Sequence, residues 1–235
     1  MHLPKAIMKK KIRHLWQLVS LEALAISVLF LLSVFAFSYI VHEAVYEKED
    51  LFDSDAIRYF SAHATPGFIE VMKRLSFFGS TTFLFPAYLV LIAWLVSKKR
   101  IPLGIDIAVI SLSSTAMMFA LKQFFHRQRP ALPILKGVTG YSFPSGHALS
   151  SIIFCSILIY LVWQGATSVA IKYLLTFLLL LLAFSIGLSR VVLNVHYATD
   201  VIGGFCAGII WVILSFAVLQ KIREKSISGT STPAS

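Results

Sequence analysis

Two histidines lie where polar turns meet apolar segments, and each has the neighbours that acid–base or nucleophilic chemistry requires. His147 ends the stretch Tyr141–His147, a turn with Pro and Gly that leads directly into an apolar run. His196 is followed four residues later by Asp200. Residues i and i+4 share a face of a helix, so this spacing predicts that the Asp200 carboxylate accepts the proton of one imidazole nitrogen. The other nitrogen of His196 would then be free to act as a nucleophile.

Basic and small residues in the same polar segments are suited to binding an anion. Lys122, Arg129 and Arg190 supply positive charge, and planar guanidinium groups match phosphate oxygens. An apolar helix that starts near Ser145 and Gly146 would direct its N–H groups and its positive dipole end at the same place. The backbone N–H groups of these two residues and the Ser145 hydroxyl would complete an anion cradle.

This combination fits phosphoryl transfer, in which negative charge spreads over the equatorial oxygens of phosphorus. We predict that His196 attacks phosphorus while the cations and N–H donors stabilise the transition state. His147 would protonate the leaving oxygen and then activate a water molecule to hydrolyse a phosphohistidine. Asp200 is the only carboxylate in these segments, which disfavours metal-assisted hydrolysis. The sequence therefore predicts an enzyme with no metal and no other cofactor.

The elements that must position these residues are predicted to be membrane-spanning helices. Hydrophobic residues make up 57% of the 235 residues and charged residues 14%, whereas soluble domains carry about 25% charged residues. Apolar runs of about 18–25 residues are candidate spans. About six are present, at Leu15–Val41, Ser80–Val96, Leu103–Leu121, Ala148–Trp163, Val169–Leu188 and Val201–Leu219. The net charge of +10 does not indicate a nucleic-acid partner, because the basic residues flank these spans.

The distribution of Lys and Arg in the short loops predicts that both termini are cytoplasmic. All three polar segments then lie on the extracytoplasmic side. Residues 1–225 would form a single transmembrane domain. The polar residues 226–235 are predicted to be a disordered cytoplasmic tail.

The first extracytoplasmic loop, residues 43–79, is too long to be a simple turn. Asp53 or Ser54 could cap one short helix, and Thr65 followed by Pro66 predicts the start of a second. Two interpretations of these helices remain open. They could lie at the membrane interface on lipid, or they could gate a site for a lipid head group.

Small and charged residues inside the spans lead to two further predictions, one on helix packing and one on the position of charges in the membrane. Gly204 and Gly208 indicate close packing of the last span against another helix, of this chain or of another. Glu22 and Asp106 lie near the predicted cytoplasmic ends of their spans, where a charge costs little.

The three polar segments, taken as a set, resemble a known signature. They are Lys122-(x6)-Arg129-Pro130, Pro144-Ser145-Gly146-His147 and Ser189-Arg190-(x5)-His196-(x3)-Asp200. This set resembles the tripartite signature of the type-2 phosphatidic acid phosphatase family and matches it at every defining position. The chain looks most like the small bacterial membrane members, which act on phosphatidylglycerol phosphate and in some cases on undecaprenyl pyrophosphate.

The resemblance implies an all-α, polytopic integral membrane protein of a bacterial-type plasma membrane, with about six transmembrane helices in a bundle and short interfacial helices in the first loop. It implies a metal-independent phosphatase with its active site at the outer face. His196 would be the nucleophile, Asp200 its orienting partner and His147 the acid. The phosphate would be bound by Lys122, Arg129, Ser145, Gly146 and Arg190. Soluble haloperoxidases that carry vanadate share this pocket, but the six apolar spans argue against that use.

The expected partners are a lipid phosphate and the bilayer itself. Phosphatidylglycerol phosphate is the first candidate substrate on the family likeness. An undecaprenyl pyrophosphate phosphatase or a lipid phosphatase of broad specificity is the alternative. A non-enzymatic anion or lipid transporter is disfavoured, because the sequence shows no inverted repeat and its polar segments lie on one side of the membrane. The oligomeric state stays open.

Overall fold

A computed structural model describes residues 5–47 and 51–229 of the chain, with side chains over 21–47 and 51–223. These residues form α-helices and no strand, which confirms the all-α prediction. The helices are α1 (Lys5–Ile40), α2 (Leu51–His63), α3 (Pro66–Phe77), α4 (Thr81–Ser97), α5 (Ile101–Phe125), α6 (Gly146–Gln164), α7 (Val169–Val192) and α8 (Ala198–Gly229), with a π-helical turn at Val41–Tyr46 after α1.

Five helical segments in the described part of the chain are long and apolar enough to cross a membrane: Leu21–Tyr46, Ile101–Phe125, Gly146–Gln164, Val169–Val192 and Ala198–Arg223. The pair α3 and α4, which is bent by 41°, makes a sixth if it counts as one span. The predicted layout of about six spans is therefore confirmed. The second predicted span corresponds to α4, whose own length falls short without α3.

Helix α6 occupies the centre of the bundle and packs against α7 on one side and α8 on the other. Its residues Leu149, Ile153 and Ile157 are fully buried, and they meet Ile107 and Ile110 of α5 in the largest apolar cluster. Because α6 begins at the stretch that contains His147, the best-packed helix of the bundle also carries a predicted site residue.

The small residues of α8 allow the close approach of α6. A Cβ atom on Gly204 would lie 2.6 Å from the carbonyl oxygen of Ser145, and one on Gly208 would lie 2.4 Å from Cγ2 of Ile152. The helix partner of these glycines, which the sequence left open, is therefore α6 of the same chain.

The helices of the first loop pack onto the bundle. Helix α3 begins as predicted, with Pro66 in its first turn and the Thr65 hydroxyl accepting a hydrogen bond from Phe68 N. The first short helix is present as α2, but its predicted cap at Asp53 or Ser54 is wrong, because α2 begins at Leu51 and both residues lie inside it. Asp53 is buried, and α2 packs on α7 and α8 while α3 packs on α7.

The structure also tests the predictions for the C-terminal tail and for the charged residues near the predicted cytoplasmic ends of the spans. Helix α8 continues to Gly229, so the predicted disordered tail overlaps this helix over 226–229. Residues 230–235 lie outside the described residues. Asp106 of α5 forms an ion pair with Arg223 of α8, while Glu22 is an exposed residue of α1.

Candidate active site

The turn between α7 and α8 places His196 against Asp200. Helix α7 ends at Val192, and the chain reverses through Asn194, which has a φ of 51° and donates from Nδ2 to the carbonyl oxygen of Ala131 at 2.7 Å. Nδ1 of His196 lies 3.3 Å from Oδ2 of Asp200. The pairing is the predicted one, but the predicted shared helix face is wrong, because His196 precedes α8 and only Asp200 belongs to it.

The neighbours of His196 define its tautomer. Nε2 lies 3.1 Å from Nη1 of Arg129, and a guanidinium group can only donate. Nε2 must therefore accept, which leaves the proton on Nδ1, facing Asp200. Burial lowers the pKa of His196 to about 4, although the hydrogen bond and the charge of Asp200 raise it. The imidazole is thus neutral at physiological pH, with the lone pair of Nε2 directed at the cations.

Ser142 is a member of this cluster that sequence reasoning missed. It is completely buried, its hydroxyl donates to Oδ2 of Asp200, and Oγ lies 3.4 Å from Nδ1 of His196. Its backbone N–H donates to the carbonyl oxygen of Arg127 at 2.7 Å. Ser142 belongs to the stretch Tyr141–His147, but nothing in the sequence separates its hydroxyl from the other serines there.

Arg127 is the second residue that was missed. Its Nη1 donates to Oδ1 of Asp200 at 2.7 Å and its Nη2 to Oδ2 of Asp53 at 2.8 Å, while the guanidinium carbon lies 4.3 Å above the ring of Tyr197. Burial lowers the pKa of Arg127, but the carboxylates of Asp200 and Asp53 raise it more, so its pKa lies above the usual value. The sequence showed this arginine inside the first polar segment, but not the carboxylates that it meets.

Lys122 and Arg129 are held by backbone carbonyl groups instead. Lys122 Nζ donates to the carbonyl oxygen of Tyr141 at 2.7 Å, and Arg129 donates to those of Gly140 at 2.9 Å and Val195 at 2.7 Å. Neither cation forms an ion pair with an acid in the described ranges. Burial lowers the pKa of Arg129, and the more distant charge of Asp200 raises it. Carbonyl groups orient these cations and leave their charge available to an anion.

Arg190 and Ser145 contain buried polar atoms without a partner. Arg190 is 4% exposed and donates from Nη1 to the Ser76 hydroxyl. Its Nε and the Oγ of Ser145 are buried and have no hydrogen-bond partner within the described side chains. Buried polar atoms are normally satisfied, so these two atoms mark where the Ser145 hydroxyl and the Arg190 guanidinium could receive a ligand.

The predicted role of the Ser145 backbone N–H in the anion cradle is wrong. This N–H donates to the carbonyl oxygen of Asp200 at 2.9 Å, because the start of α6 is joined to the start of α8. The Ser145 hydroxyl makes no capping bond, so it stays available. Gly146 is the first residue of α6, where N–H groups have no acceptor within the helix. Of the predicted cradle, the Ser145 hydroxyl and the N-terminus of α6 therefore stay available to an anion.

His147 lies in the first turn of α6 beside the bend between α3 and α4. A Cβ atom on Gly79 would lie 3.1 Å from Cδ2 of His147. Four groups interact electrostatically with the imidazole of His147: those of Arg190, His196, Arg129 and Lys122. The fold thus brings all eight predicted site residues to one region, with direct contacts among Arg129, His196 and Asp200.

The donor set for a metal ion is limited in this region. Within residues 21–47 and 51–223, no group of three or more His, Cys, Asp or Glu side chains could hold a metal ion. The charges that an anion would meet there are those of Lys122, Arg129 and Arg190.

A multi-helix membrane bundle with a buried His–Asp pair facing cations that lack acidic partners defines a class of protein, the membrane phosphatases. The PAP2 superfamily matches residues 103–224 of the chain, a range that contains all three polar segments. The chain belongs to the PAP2 superfamily, and it is a hydrolase of the lipid phosphate phosphatase class.

Known relatives agree with this assignment. The chain is 26% identical over 160 residues to phosphatidylglycerophosphatase B of Bacillus subtilis (strain 168), which covers 68% of this chain and 79% of the relative. It is 30% identical over 141 residues to "Putative undecaprenyl-diphosphatase YbjG" of Escherichia coli (strain K12), covering 58% and 66%. The crystal structure of a transmembrane PAP2 type phosphatidylglycerolphosphate phosphatase from Bacillus subtilis superposes with a TM-score of 0.70 at 25% identity, over 84% of this chain and 96% of that one.

Proposed function

We infer that the chain removes the terminal phosphate of a membrane lipid through a covalent phosphohistidine on His196. The pair of contacts that defines the tautomer of His196 supports this most directly. Nδ1 faces Asp200 at 3.3 Å, and the lone pair of Nε2 faces Arg129 at 3.1 Å. A neutral imidazole with its free nitrogen directed at cations is suited to attack a bound phosphate.

The reaction then divides into two displacements at phosphorus. In the first, Nε2 of His196 forms the N–P bond as the bond between phosphorus and the lipid oxygen breaks, and His147 gives its proton to that oxygen. Arg129 transfers its hydrogen bond from Nε2 to a phosphate oxygen when the substrate binds. Arg190, Lys122, the Ser145 hydroxyl and the N-terminus of α6 at Gly146 stabilise the remaining negative charge.

In the second displacement a water molecule attacks phosphorus and the N–P bond breaks. His147, now neutral, accepts the proton of the attacking water, so that both histidines return to their starting states. Asp200 holds the Nδ1 proton of His196 throughout and stabilises the positive charge of the phosphorylated ring. No step requires a metal ion.

Phosphatidylglycerol phosphate is the proposed substrate, because the Bacillus subtilis relative and the solved structure both bear names for that activity. The relative from Escherichia coli supports undecaprenyl pyrophosphate as a second candidate. The same cradle can bind a terminal phosphate in either lipid. We further propose that the site faces the extracytoplasmic side with both termini cytoplasmic, as the Lys and Arg bias predicts.

Trapping the phosphorylated enzyme tests the mechanism. Purified protein in detergent is mixed with lipid labelled in its terminal phosphate and quenched in alkaline denaturant, because phosphohistidine is labile in acid. We expect label on His196, and we expect His196→Ala to lose the label and at least about 10⁴-fold of the turnover. His63→Ala is the matched control, since His63 is an exposed histidine of α2. Turnover at the wild-type rate by His196→Ala would show that the mechanism is wrong.

A comparison of two lipids tests the substrate. The value of kcat/KM is measured for phosphatidylglycerol phosphate and for undecaprenyl pyrophosphate in the same detergent. We expect the first to be preferred. A preference for the second would support the alternative, and near-equal values would indicate broad specificity. Phosphate flux across sealed vesicles without hydrolysis would instead support a transporter.

A further inference from the structure

Asp53 is a fully buried carboxylate that reaches the active site from outside the three polar segments. It belongs to α2, in the loop before the second predicted span, and is 1% exposed. Its Oδ1 accepts from the backbone N–H of Thr199 at 2.9 Å. Its Oδ2 accepts from Thr199 Oγ1 at 2.5 Å and from Arg127 Nη2 at 2.8 Å. Asp53 thus holds the start of α8 next to Asp200.

Arg127 connects Asp53 to the His196–Asp200 pair. The two guanidinium nitrogens of its fork bind different carboxylates, Nη1 to Oδ1 of Asp200 and Nη2 to Oδ2 of Asp53. Oδ2 of Asp200 faces His196, so Arg127 binds the oxygen that His196 does not use. One continuous chain of contacts therefore runs from His196 through Asp200 and Arg127 to Asp53.

The charges along this chain explain why a second carboxylate is needed. Arg127 is 12% exposed, and Asp53 and Asp200 are more deeply buried, so solvent screens these charges little. Without Asp53, the positive charge of Arg127 would cancel the negative charge of Asp200. Asp200 would then stabilise a positive charge on His196 less. Asp53 balances Arg127 and leaves the net negative charge of the group with Asp200. Arg127, held by Asp53 on its other nitrogen, also fixes the Asp200 carboxylate in position through a charge-assisted hydrogen bond.

We propose that Asp53 and Arg127 are positioning residues for the His196–Asp200 pair, so that α2 is part of the active site. This proposal rests on the role of His196 given above. It adds to the two interpretations of the first loop a third role, that of positioning residues of the site. Helix α2 contributes a fixed charge to that site.

A purely structural role for α2 and a positioning role differ in how substitutions change the pKa of His196. The charged and titratable groups around His196 are Asp200 of α8, Arg129 of the loop after α5, Lys122 of α5, Arg190 of α7 and His147 of α6, with Arg127 and Asp53 acting through Asp200. Loss of the Arg127 charge makes His196 easier to protonate. Loss of the Asp53 charge makes it harder. The two changes break the same ion pair and act on His196 with opposite sign.

The experiment compares Asp53→Asn, Arg127→Gln and the double variant in the full-length protein in detergent. We expect each single change to lower kcat about 10- to 100-fold, as loss of an orienting partner does, with a smaller change in KM. The acid limb of the kcat/KM profile should move to higher pH in Arg127→Gln and not in Asp53→Asn. The double variant should lose less than the two single losses multiplied.

Asp55→Asn is the matched control, because Asp55 lies on the same helix in an exposed ion pair with Arg58. It should keep wild-type kinetics. If Asp53→Asn does not fold, Arg127→Lys decides, since a lysine keeps the charge but has no rigid planar fork to hold the two carboxylates at fixed positions. It should lower kcat and leave the acid limb in place.

Wild-type kcat in Arg127→Gln and Asp53→Asn would overturn the proposal, as would acid limbs that move in the same direction. These outcomes are separate from a failure of the proposed function, in which His196→Ala keeps its turnover. An inactive His196→Ala together with a fully active Asp53→Asn would leave the phosphohistidine mechanism standing and remove α2 from the site.

Discussion

Arg127 and Arg129 are two residues apart in one loop, yet they bind opposite kinds of group. Arg127 binds two carboxylates, those of Asp200 and Asp53, and stacks on Tyr197. Arg129 binds backbone carbonyl oxygens and Nε2 of His196, and no acid in the described residues pairs with it. The charge of one arginine is neutralised inside the protein, and the charge of the other is available to a substrate.

This difference shows that the type of partner, more than the presence of a cation, separates phosphate binding from positioning. A carbonyl group is a dipole, so it orients a guanidinium without cancelling its charge. A carboxylate does cancel it, and two carboxylates reverse it. In the proposed mechanism, Arg127 and its acids support the Nδ1 side of the imidazole, while Arg129 and Lys122 bind the phosphate on the Nε2 side.

Replacing each arginine in turn is the strongest test of whether Arg129 binds phosphate while Arg127 does not. Arg129→Gln should lower kcat/KM about 10²- to 10³-fold, because a preorganised donor to the transition state is lost. It should also greatly weaken inhibition by orthovanadate, a phosphate analogue. Arg127→Gln should weaken that inhibition far less. Equal weakening of vanadate inhibition in the two variants would show that both arginines bind the anion.

Gly204→Ala should disturb the cradle without touching either arginine. The new Cβ would lie 2.6 Å from the Ser145 carbonyl oxygen and 3.0 Å from Cβ of Ala148, so backbone atoms must move. Such overpacking costs about 1–3 kcal/mol, and the displaced Ser145 should reduce kcat about 10-fold or more. Thermal unfolding and turnover in detergent measure both effects.

Gly67→Ala is the control for this variant, because a Cβ at Gly67 has no neighbour within 4 Å. It should change neither kcat nor the unfolding temperature appreciably. Full activity in Gly204→Ala would show that the start of α6 does not need its close contact with α8.

The pH profile of the reaction tests how far Arg129 and Lys122 lower the pKa of His196. Burial lowers the pKa of His196 from 6.5 to about 4, Asp200 opposes this, and Arg129 and Lys122 add to it. A lowered pKa keeps the imidazole neutral and nucleophilic as pH falls from 6.5 towards 4. The acid limb of kcat/KM, corrected for substrate ionisation, should therefore lie near pH 4 and should move upward in Arg129→Gln. A limb at 6.5 in the wild type would contradict this account.

The ion pair between Asp106 and Arg223 lies at the other end of the bundle and can be compared with the ion pairs of Arg127. Asp106 lies 16 residues before Lys122 on α5, about 24 Å along the helix axis. Its partner Arg223 is 44% exposed and can be hydrated when the pair is lost. Asp106→Asn should therefore cost at most about 1 kcal/mol of stability and leave kcat unchanged. A large loss of activity would mean that this ion pair acts on the site over a long range.

Much of the site could be predicted because its chemistry depends on residue types at short spacing. Three basic residues, a Ser-Gly turn at a helix start and a histidine four residues before an aspartate are visible in the sequence. The contact between His196 and Asp200 was expected. It forms through the turn after Asn194 and not on one helix face, because α8 starts only at Ala198.

Other residues could not be predicted, because their partners are distant in sequence. Asp53 is 74 residues from Arg127 and 146 from Thr199. In the sequence it was a candidate helix cap, and only the packing of α2 on α8 makes it a buried partner of the site. The Ser145 N–H was assigned to the anion, but the close approach of α6 and α8 gives it to the carbonyl oxygen of Asp200.

The sequence by itself determined the membrane class, the number of spans and the residue types that handle phosphate, since hydropathy and local spacing are properties of the chain alone. The tertiary structure decided which cations keep their charge. That outcome depends on whether a carboxylate or a carbonyl group comes within hydrogen-bond distance of each guanidinium. The packing of α2 against α7 and α8 brings Asp53 to Arg127, whereas no acid among the described side chains pairs with Arg129.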